Sequence, residues 1–144
     1  MIFSSSPGAY IMAGFLFTWQ FPHFNALSWN LRSDYTRAGY CMMASKNPGL
    51  CQSVALRHCL FINVLCVLAP WCELTEWSFA VFSVPLNVTF SYLGWCFYKH
   101  ADGKTATQLF RFSLLHLPLL MLMLIVSKKS VIPVASSSKL FENI

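Results

Sequence analysis

The stretch that decides the fold lies near the start of the chain. Residues 8–31 contain no Asp, Glu, Lys or Arg, and they read GAYIMAGFLFTWQFPHFNALSWNL. An α-helix of this length rises about 36 Å, which is enough to cross the roughly 30 Å hydrocarbon core of a bilayer. The sequence therefore predicts a membrane-spanning helix here.

Three further apolar stretches follow it, at 58–72, 77–98 and 108–127. The first of these is short, and it reaches spanning length only if residues 54–56 are included and Arg57 extends its side chain toward the interface. The whole chain of 144 residues is 56% hydrophobic and only 10% charged, which leaves too little polar surface for an ordinary soluble domain. We therefore predict an all-α, multi-pass bundle of four transmembrane helices.

The distribution of charge predicts a topology. The connections 32–52 and 99–107 carry more basic than acidic residues, whereas the connection 73–76 carries two glutamates and no basic residue. Loops rich in Lys and Arg stay on the cytoplasmic or matrix side of a membrane. We expect these two basic loops on that side and both termini on the other. The net charge of +5 is explained in this way, without a nucleic-acid partner.

Polar residues concentrate where the first predicted helix ends. His23 and Asn30 lie seven positions apart, so they share a helix face, and Asp34 continues the same stripe one turn later. Pro22 predicts a kink just before them. One interpretation is a solvated helix end with a hydrogen-bonded core histidine.

The other interpretation is a polar cavity that opens to one side of the membrane. Asp34 is then an oxygen ligand for Mg²⁺, and Arg32 and Arg37 bind an anion such as phosphate. A single carboxylate fits a Mg²⁺ site in which substrate oxygens supply further ligands. The residues alone leave both interpretations open.

Several sequence motifs resemble one known family. They are WQFPHFNAL at 19–27, DYTRAGYCMM at 34–43, VALRHC at 54–59, YLG at 92–94 and SLLHLP at 113–118. This set is similar to the protohaem IX farnesyltransferase (haem O synthase) family of the UbiA intramembrane prenyltransferase superfamily, in its mitochondrial form. The resemblance extends over nearly the whole chain. It implies a C-terminal half of a UbiA-type domain at 1–127 and a polar tail at 128–144.

The resemblance also implies an activity and a location. Members of the family are bundles of nine transmembrane helices in the mitochondrial inner membrane, and this chain matches their last four. They transfer a farnesyl group from farnesyl diphosphate to a vinyl carbon of haem b, which gives haem O, with Mg²⁺ as cofactor. The family's first Asn/Asp-rich motif has no counterpart here, so the resemblance implies a C-terminal fragment that is inactive without the N-terminal half.

The family's motif transfers roles to individual positions of this sequence. Asp34, Tyr35 and Arg37 match the catalytic part of the second polar motif, with Asp34 also the predicted Mg²⁺ ligand. The neighbouring residues that we expect to bind substrate are His23, Asn30 and Arg32. The alternative is a non-catalytic four-helix membrane protein, such as a transporter fragment or an assembly factor. Only the transferase requires the carboxylate of Asp34 to share a cavity with arginines.

Overall fold

The computed structural model describes residues 7–128, in which all the named elements are helices, and this confirms the all-α prediction. The helices are α1 (Pro7–Asn30), α2 (Arg32–Arg37), α3 (Met43–Lys46), α4 (Pro48–Trp71), α5 (Trp77–His100) and α6 (Gly103–Val126). The four long helices correspond to the four predicted apolar stretches. Residues 1–6 and 129–144, and with them nearly all of the predicted polar tail, lie outside the described residues.

Two helices begin earlier than the hydrophobicity predicts. Helix α4 starts at Pro48, because the Asn47 side chain accepts a hydrogen bond from the Leu50 N–H at 3.1 Å and caps the first turn. Helix α6 starts at Gly103, where Asp102 accepts from the Thr105 N–H at 3.0 Å. The connections between the helices are therefore shorter than the predicted ranges 32–52 and 99–107, since helical turns occupy part of each.

The four long helices form a closed ring. Helix α1 packs against α4 and α6, and α5 packs against the same two helices. Each helix buries one stripe of side chains toward the centre of the ring. The largest side chains buried there are Phe15, Phe79, Phe90, Phe97, Ile62, Leu109 and Leu120.

Three of the described helices, α4, α5 and α6, are long and apolar enough to cross a membrane, as judged by length and composition. Helix α1 is equally long, at 24 residues, but it does not belong to this group. Its polar residues Gln20, His23 and Asn25 lower its hydropathy. The fourth span remains a prediction.

The two ends of the ring differ in charge. One end carries α2, α3 and the α5–α6 turn, so the two predicted basic loops lie together, as expected. At the other end the α4–α5 loop contacts the end of α6, where the Glu76 N–H donates to the Ser127 carbonyl at 3.1 Å. This second loop carries Glu73 and Glu76. The geometry places the basic loops on one side of the bundle, and which side of the membrane that is stays a prediction.

Candidate functional site

The predicted catalytic residues lie on the short helix α2, at the basic end of the bundle. A turn at Leu31 separates α2 from α1, and the Asp34 N–H bonds to the Leu31 carbonyl at 3.1 Å. Asp34 and Arg37 are exposed, and Tyr35 is half-buried. Leu31 is the one residue between the two helices, and hydrogen bonds of helical spacing run through it, from the Leu31 N–H to the Leu27 carbonyl and from the Tyr35 N–H to the Leu31 carbonyl. The extension of the stripe from Asn30 to Asp34 stays a prediction.

Arg32 borders two clefts at this end of the bundle. The larger cleft has a volume of about 600 Å³ and the smaller about 260 Å³. Trp29, Arg32 and Ser33 line both of them. The Arg32 guanidinium lies 4.5 Å from the centre of the Trp29 ring, which is within the range of a cation–π interaction. Arg32, which we predict to bind substrate, thus lines both clefts, whereas Asp34, Tyr35 and Arg37 line neither of them.

Hydroxyl groups line the larger cleft beside Arg32. The Thr36 hydroxyl donates to the Arg32 carbonyl at 2.7 Å, and it lies 3.2 Å from the Ser45 hydroxyl. Ser33 adds a third hydroxyl to the wall. None of the residues that line this cleft has a carboxylate. A guanidinium and several hydroxyls around one opening favour an anionic ligand with several oxygens, such as a phosphate or diphosphate.

His23 and Asn30 share the face of α1 that packs on α6, as their spacing predicts. The Asn30 Nδ2 donates to the Thr107 hydroxyl at 3.1 Å, and Asn30 also borders the smaller cleft. The His23 Nδ1 lies 2.7 Å from the Ser113 hydroxyl. We refer to this contact zone as the α1–α6 seam and define it by Trp19, His23, Asn30, Thr107, Phe110 and Ser113.

Aromatic rings hold His23 on both faces within the α1–α6 seam. Its ring is stacked on Trp19 with centroids 4.4 Å apart and on Phe110 with centroids 4.9 Å apart. The Trp19 Nε1 in turn donates to the Ser113 carbonyl at 3.0 Å. Sequence analysis missed the α6 partners of His23. Thr107, Phe110 and Ser113 do recur at intervals of three on α6, but that pattern alone does not separate them from other packing residues.

A second histidine is enclosed in the core of the ring. His116 is fully buried, its ring stacks on Phe90 with centroids 4.3 Å apart, and its Nε2 lies 3.0 Å from the Asn87 Oδ1. The Asn87 Nδ2 donates to the Cys66 Sγ at 3.0 Å, so this network joins α4, α5 and α6. We refer to it as the α4–α5–α6 core network. Its geometry gives His116 a packing role.

No three His, Cys, Asp or Glu side chains within residues 7–128 form a cluster that could hold a metal ion. Asp34, the one predicted metal ligand, therefore belongs to no such cluster. Any Mg²⁺ at this position needs most of its ligands from water or from a substrate.

Comparison with known proteins finds mitochondrial protoheme IX farnesyltransferases among the relatives of this chain. The chain is 52% identical over 126 residues to "Protoheme IX farnesyltransferase, mitochondrial" of Homo sapiens, an alignment that covers 88% of this chain and 28% of the relative. This chain is homologous to one part of the mitochondrial protoheme IX farnesyltransferases. The Yarrowia lipolytica farnesyltransferase is 40% identical over 137 residues, with 85% of this chain and 29% of the relative covered. The Saccharomyces cerevisiae farnesyltransferase is 35% identical over 146 residues, with 87% of this chain and 32% of the relative covered.

The similarity to these farnesyltransferases includes the candidate site. An alignment of 126 residues in a chain of 144 contains residues 19–126 wherever it begins, and so it contains the α1–α6 seam and all of α2. The chain spans about 28% of the length of the human relative. No family model matches the chain, and no solved structure matches it.

Proposed function

We propose that this chain works as part of a mitochondrial protohaem IX farnesyltransferase that converts haem b to haem O. The observation that carries the proposal is the cleft at Arg32, which lies within a segment homologous to the human farnesyltransferase. In the proposed reaction the farnesyl group leaves its diphosphate and bonds to a vinyl carbon of haem b. The enzyme belongs to the mitochondrial inner membrane in this proposal.

The chemistry of the cleft suits the diphosphate of farnesyl diphosphate. Negative charge develops on the diphosphate as the bond to the farnesyl carbon breaks, and a preorganised cation stabilises that charge. The Arg32 guanidinium is held over the Trp29 ring, so it does not need to reorganise during the reaction. The hydroxyls of Ser33, Thr36 and Ser45 add hydrogen bonds, and Arg37, on the same short helix, supplies a second positive charge.

Asp34 fits Mg²⁺ only in a shared site. Mg²⁺ commonly keeps several waters and binds through one or two carboxylates together with substrate phosphate oxygens, and the single carboxylate of Asp34 matches that pattern. When bound, the ion neutralises charge on the leaving diphosphate. Asp34 is exposed and its side chain reaches the aqueous end of the bundle, where a diphosphate at Arg32 would also lie. Tyr35, on the same short helix, is half-buried, and its ring meets that of Tyr40 edge to face with centroids 6.2 Å apart.

The proposal requires residues outside this chain. In residues 7–128 the four long helices pack around a core of buried side chains, and we propose that a haem and a fifteen-carbon chain do not both fit within it. A farnesyl cation must be kept from water, which needs an enclosed apolar cavity. The relatives contain more than two thirds of their length beyond the aligned part. We propose that this additional part completes the cavity, so that the chain by itself makes no haem O.

The first test changes Asp34 and Arg37 of α2 in a chimeric transferase. The chimera is the human relative with its aligned segment replaced by this chain, produced in cells that lack haem O synthase. We expect Asp34→Asn and Arg37→Gln each to lower haem O formation about 100-fold, the effect typical of removing one preorganised charge-stabilising group. Protein abundance should not change, because both side chains are exposed.

Glu76→Gln is the matched control, since Glu76 is an exposed acid at the opposite end of the bundle. It should leave haem O formation unchanged. Normal haem O formation by Asp34→Asn at normal abundance would show that Asp34 has no catalytic role. A wild-type chimera that is abundant but makes no haem O would favour the non-catalytic alternative.

The second test asks whether the active site is divided between two parts. This chain is produced alone, and also together with the remaining part of the human relative as a separate polypeptide. We expect haem O only when both polypeptides are present. Haem O from the chain alone would overturn the proposal that its cavity is incomplete.

A further inference from the structure

The α1–α6 seam fixes which nitrogen of His23 carries the proton. The Ser113 hydroxyl donates its single proton to the Phe110 carbonyl at 2.6 Å. It can then only accept from the His23 Nδ1, which lies 2.7 Å away. In a neutral imidazole one nitrogen is a donor and the other an acceptor. The Nε2 of His23 therefore has a free lone pair.

That lone pair is accessible and has no partner. None of the hydrogen bonds among residues 7–128 involves the His23 Nε2. The buried polar atoms that lack a partner are Trp29 Nε1, Thr75 Oγ1 and His116 Nδ1, so the His23 Nε2 reaches the surface instead. His23 lies seven residues before the end of α1, about 10 Å along the helix. In the predicted span of α1, an acceptor at that depth finds no donor in hydrocarbon, which makes an open lone pair costly there.

We propose that the His23 Nε2 binds the iron of haem b and so holds the substrate for the transfer. This inference rests on the proposed function, which supplies haem b as the substrate. In this proposal the Nε2 lone pair forms a coordinate bond to the iron, and no covalent bond is broken. Ser113 is a positioning residue, because it holds Nδ1 and turns Nε2 outward without reaching the iron itself.

The surroundings of His23 resemble those of imidazoles that bind metals. Such a histidine usually donates its other ring N–H to a fixed acceptor, which sets its tautomer and its orientation. Ser113 is that acceptor, and the rings of Trp19 and Phe110 prevent the imidazole from turning. A haem on this face of α1 lies beside the Asn30 side of the smaller cleft, so both proposed substrates approach one surface.

His116 shows what a histidine without this capacity looks like. Its Nε2 is already bonded to Asn87, its Nδ1 is buried, and the Phe90 ring covers one face. Haem could reach neither nitrogen without opening the core. The open nitrogen of His23, and not the presence of a histidine as such, therefore carries the inference.

The test is a haem-binding measurement on the purified chimeric transferase. Ferric haem b is titrated into wild type, His23→Ala and His100→Ala, and the absorption and electron paramagnetic resonance spectra are recorded. His100 is the matched control, since it is exposed and its Nδ1 contacts only the Cys96 carbonyl of its own helix. We expect nitrogen-ligated spectra from wild type and His100→Ala. His23→Ala should lose that spectrum, and added imidazole should restore it.

A positioning role for Ser113 has a separate signature. Ser113→Ala should keep the nitrogen-ligated spectrum but weaken haem binding by about 10-fold, the effect typical of losing an outer-shell partner. If Ser113 had only a structural role, Ser113→Ala would lower protein stability and leave the affinity for haem unchanged. Thermal unfolding of each variant monitors the fold in parallel.

The outcomes separate this inference from the proposed function. A nitrogen-ligated spectrum that persists in a folded His23→Ala variant would overturn the inference, even if the chimera makes haem O. A folded His23→Ala variant would also keep this spectrum if the Nε2 bonded to a donor in the remaining part of the transferase, and the inference would then be wrong. A spectrum lost in His23→Ala and restored by imidazole, in a chimera without haem O formation, would support haem binding and count against the proposed reaction.

Discussion

The two histidines of this bundle occupy opposite kinds of environment. His23, in the α1–α6 seam, is half-buried and leaves one nitrogen open, whereas His116, in the α4–α5–α6 core network, is fully buried. Both are hydrogen-bonded across helices and both stack on aromatic rings. We propose that the first network serves binding and the second serves cohesion. What distinguishes the two is whether an acceptor remains accessible.

Removing each imidazole should give the largest difference between the two regions. We expect His116→Ala to lower the free energy of unfolding by about 3 kcal/mol, because it leaves a cavity and an unpaired Asn87 oxygen. His23→Ala should cost about 1 kcal/mol, since its ring is only half-buried. Unfolding of the chimeric transferase in mixed micelles measures both values. Equal losses would show that the two networks contribute alike to stability.

The closeness of α4 and α5 gives the next prediction. A Cβ at Gly94 would lie 2.9 Å from the Cys59 Sγ, and both positions are buried. We expect Gly94→Ala to lower the free energy of unfolding by about 2 kcal/mol through overpacking. The same unfolding measurement on the double variant with Cys59→Ala should recover most of this loss.

Gly14 provides the control on the α1 side of the bundle. A Cβ there would meet Leu65 at 3.5 Å, which is an ordinary contact. Gly14→Ala should therefore be neutral or stabilising by up to about 1 kcal/mol, because alanine is the better helix former. Equal destabilisation at both glycines would contradict the closer packing of α4 on α5.

Double-mutant cycles measure the hydrogen bonds themselves. We expect a coupling energy of about 1 kcal/mol between His116 and Asn87, and roughly half of that between His23 and Ser113. The reason is that partner groups left behind at the open seam find other contacts more easily than those left in the core. A larger coupling energy between His23 and Ser113 than between His116 and Asn87 would contradict this explanation.

The smallest expected effect concerns pH at the α6 N-cap. The backbone N–H of Thr105, and then its hydroxyl, bond to Asp102 and lower the pKa of that carboxyl, with His100 and Lys104 adding to the shift. A lowered pKa in the folded state means that this stabilisation is present above the ordinary aspartate pKa of about 4 and is lost as the pH falls through the lowered value.

Asp102→Asn tests this, because asparagine also caps helices but carries no charge. The thermal midpoint of the wild type should fall more steeply than that of Asp102→Asn between about pH 5 and pH 2, the range in which such a carboxyl takes up its proton. High salt should reduce the difference, since the group is exposed. Parallel pH profiles would show that the charge of Asp102 adds nothing to the cap.

Much of the fold follows from the sequence, because it depends on local signals. Long apolar stretches predicted the four helices, and Asn47-Pro48 and Asp102-Gly103 contain the caps that set two of the boundaries. The shared face of His23 and Asn30 followed from helical spacing. The extension of that face to Asp34 stays a prediction, because Leu31 interrupts the helix between Asn30 and Arg32.

The partners of the candidate site could not be predicted in the same way. Ser113 and Thr107 lie 90 and 77 residues from the α1 residues they bond to, and no periodicity within α1 specifies them. They depend on which helix packs against α1, which is a property of the ring. The catalytic roles of Asp34, Tyr35 and Arg37 stay predictions, because these three residues line neither of the described clefts.

The low hydropathy of α1 has a consequence for assembly. A translocation machinery that sorts segments by hydrophobicity would retain α4, α5 and α6 unaided, but the Gln20, His23 and Asn25 of α1 weaken its partition into lipid. We expect α1 to stay in the membrane because two of these polar side chains bond to neighbouring helices, Asn25 to the Cys51 carbonyl of α4 and His23 to the Ser113 hydroxyl of α6. We expect damage to those contacts to appear first as a segment left on the wrong side of the bilayer, in a protein whose other helices are still inserted.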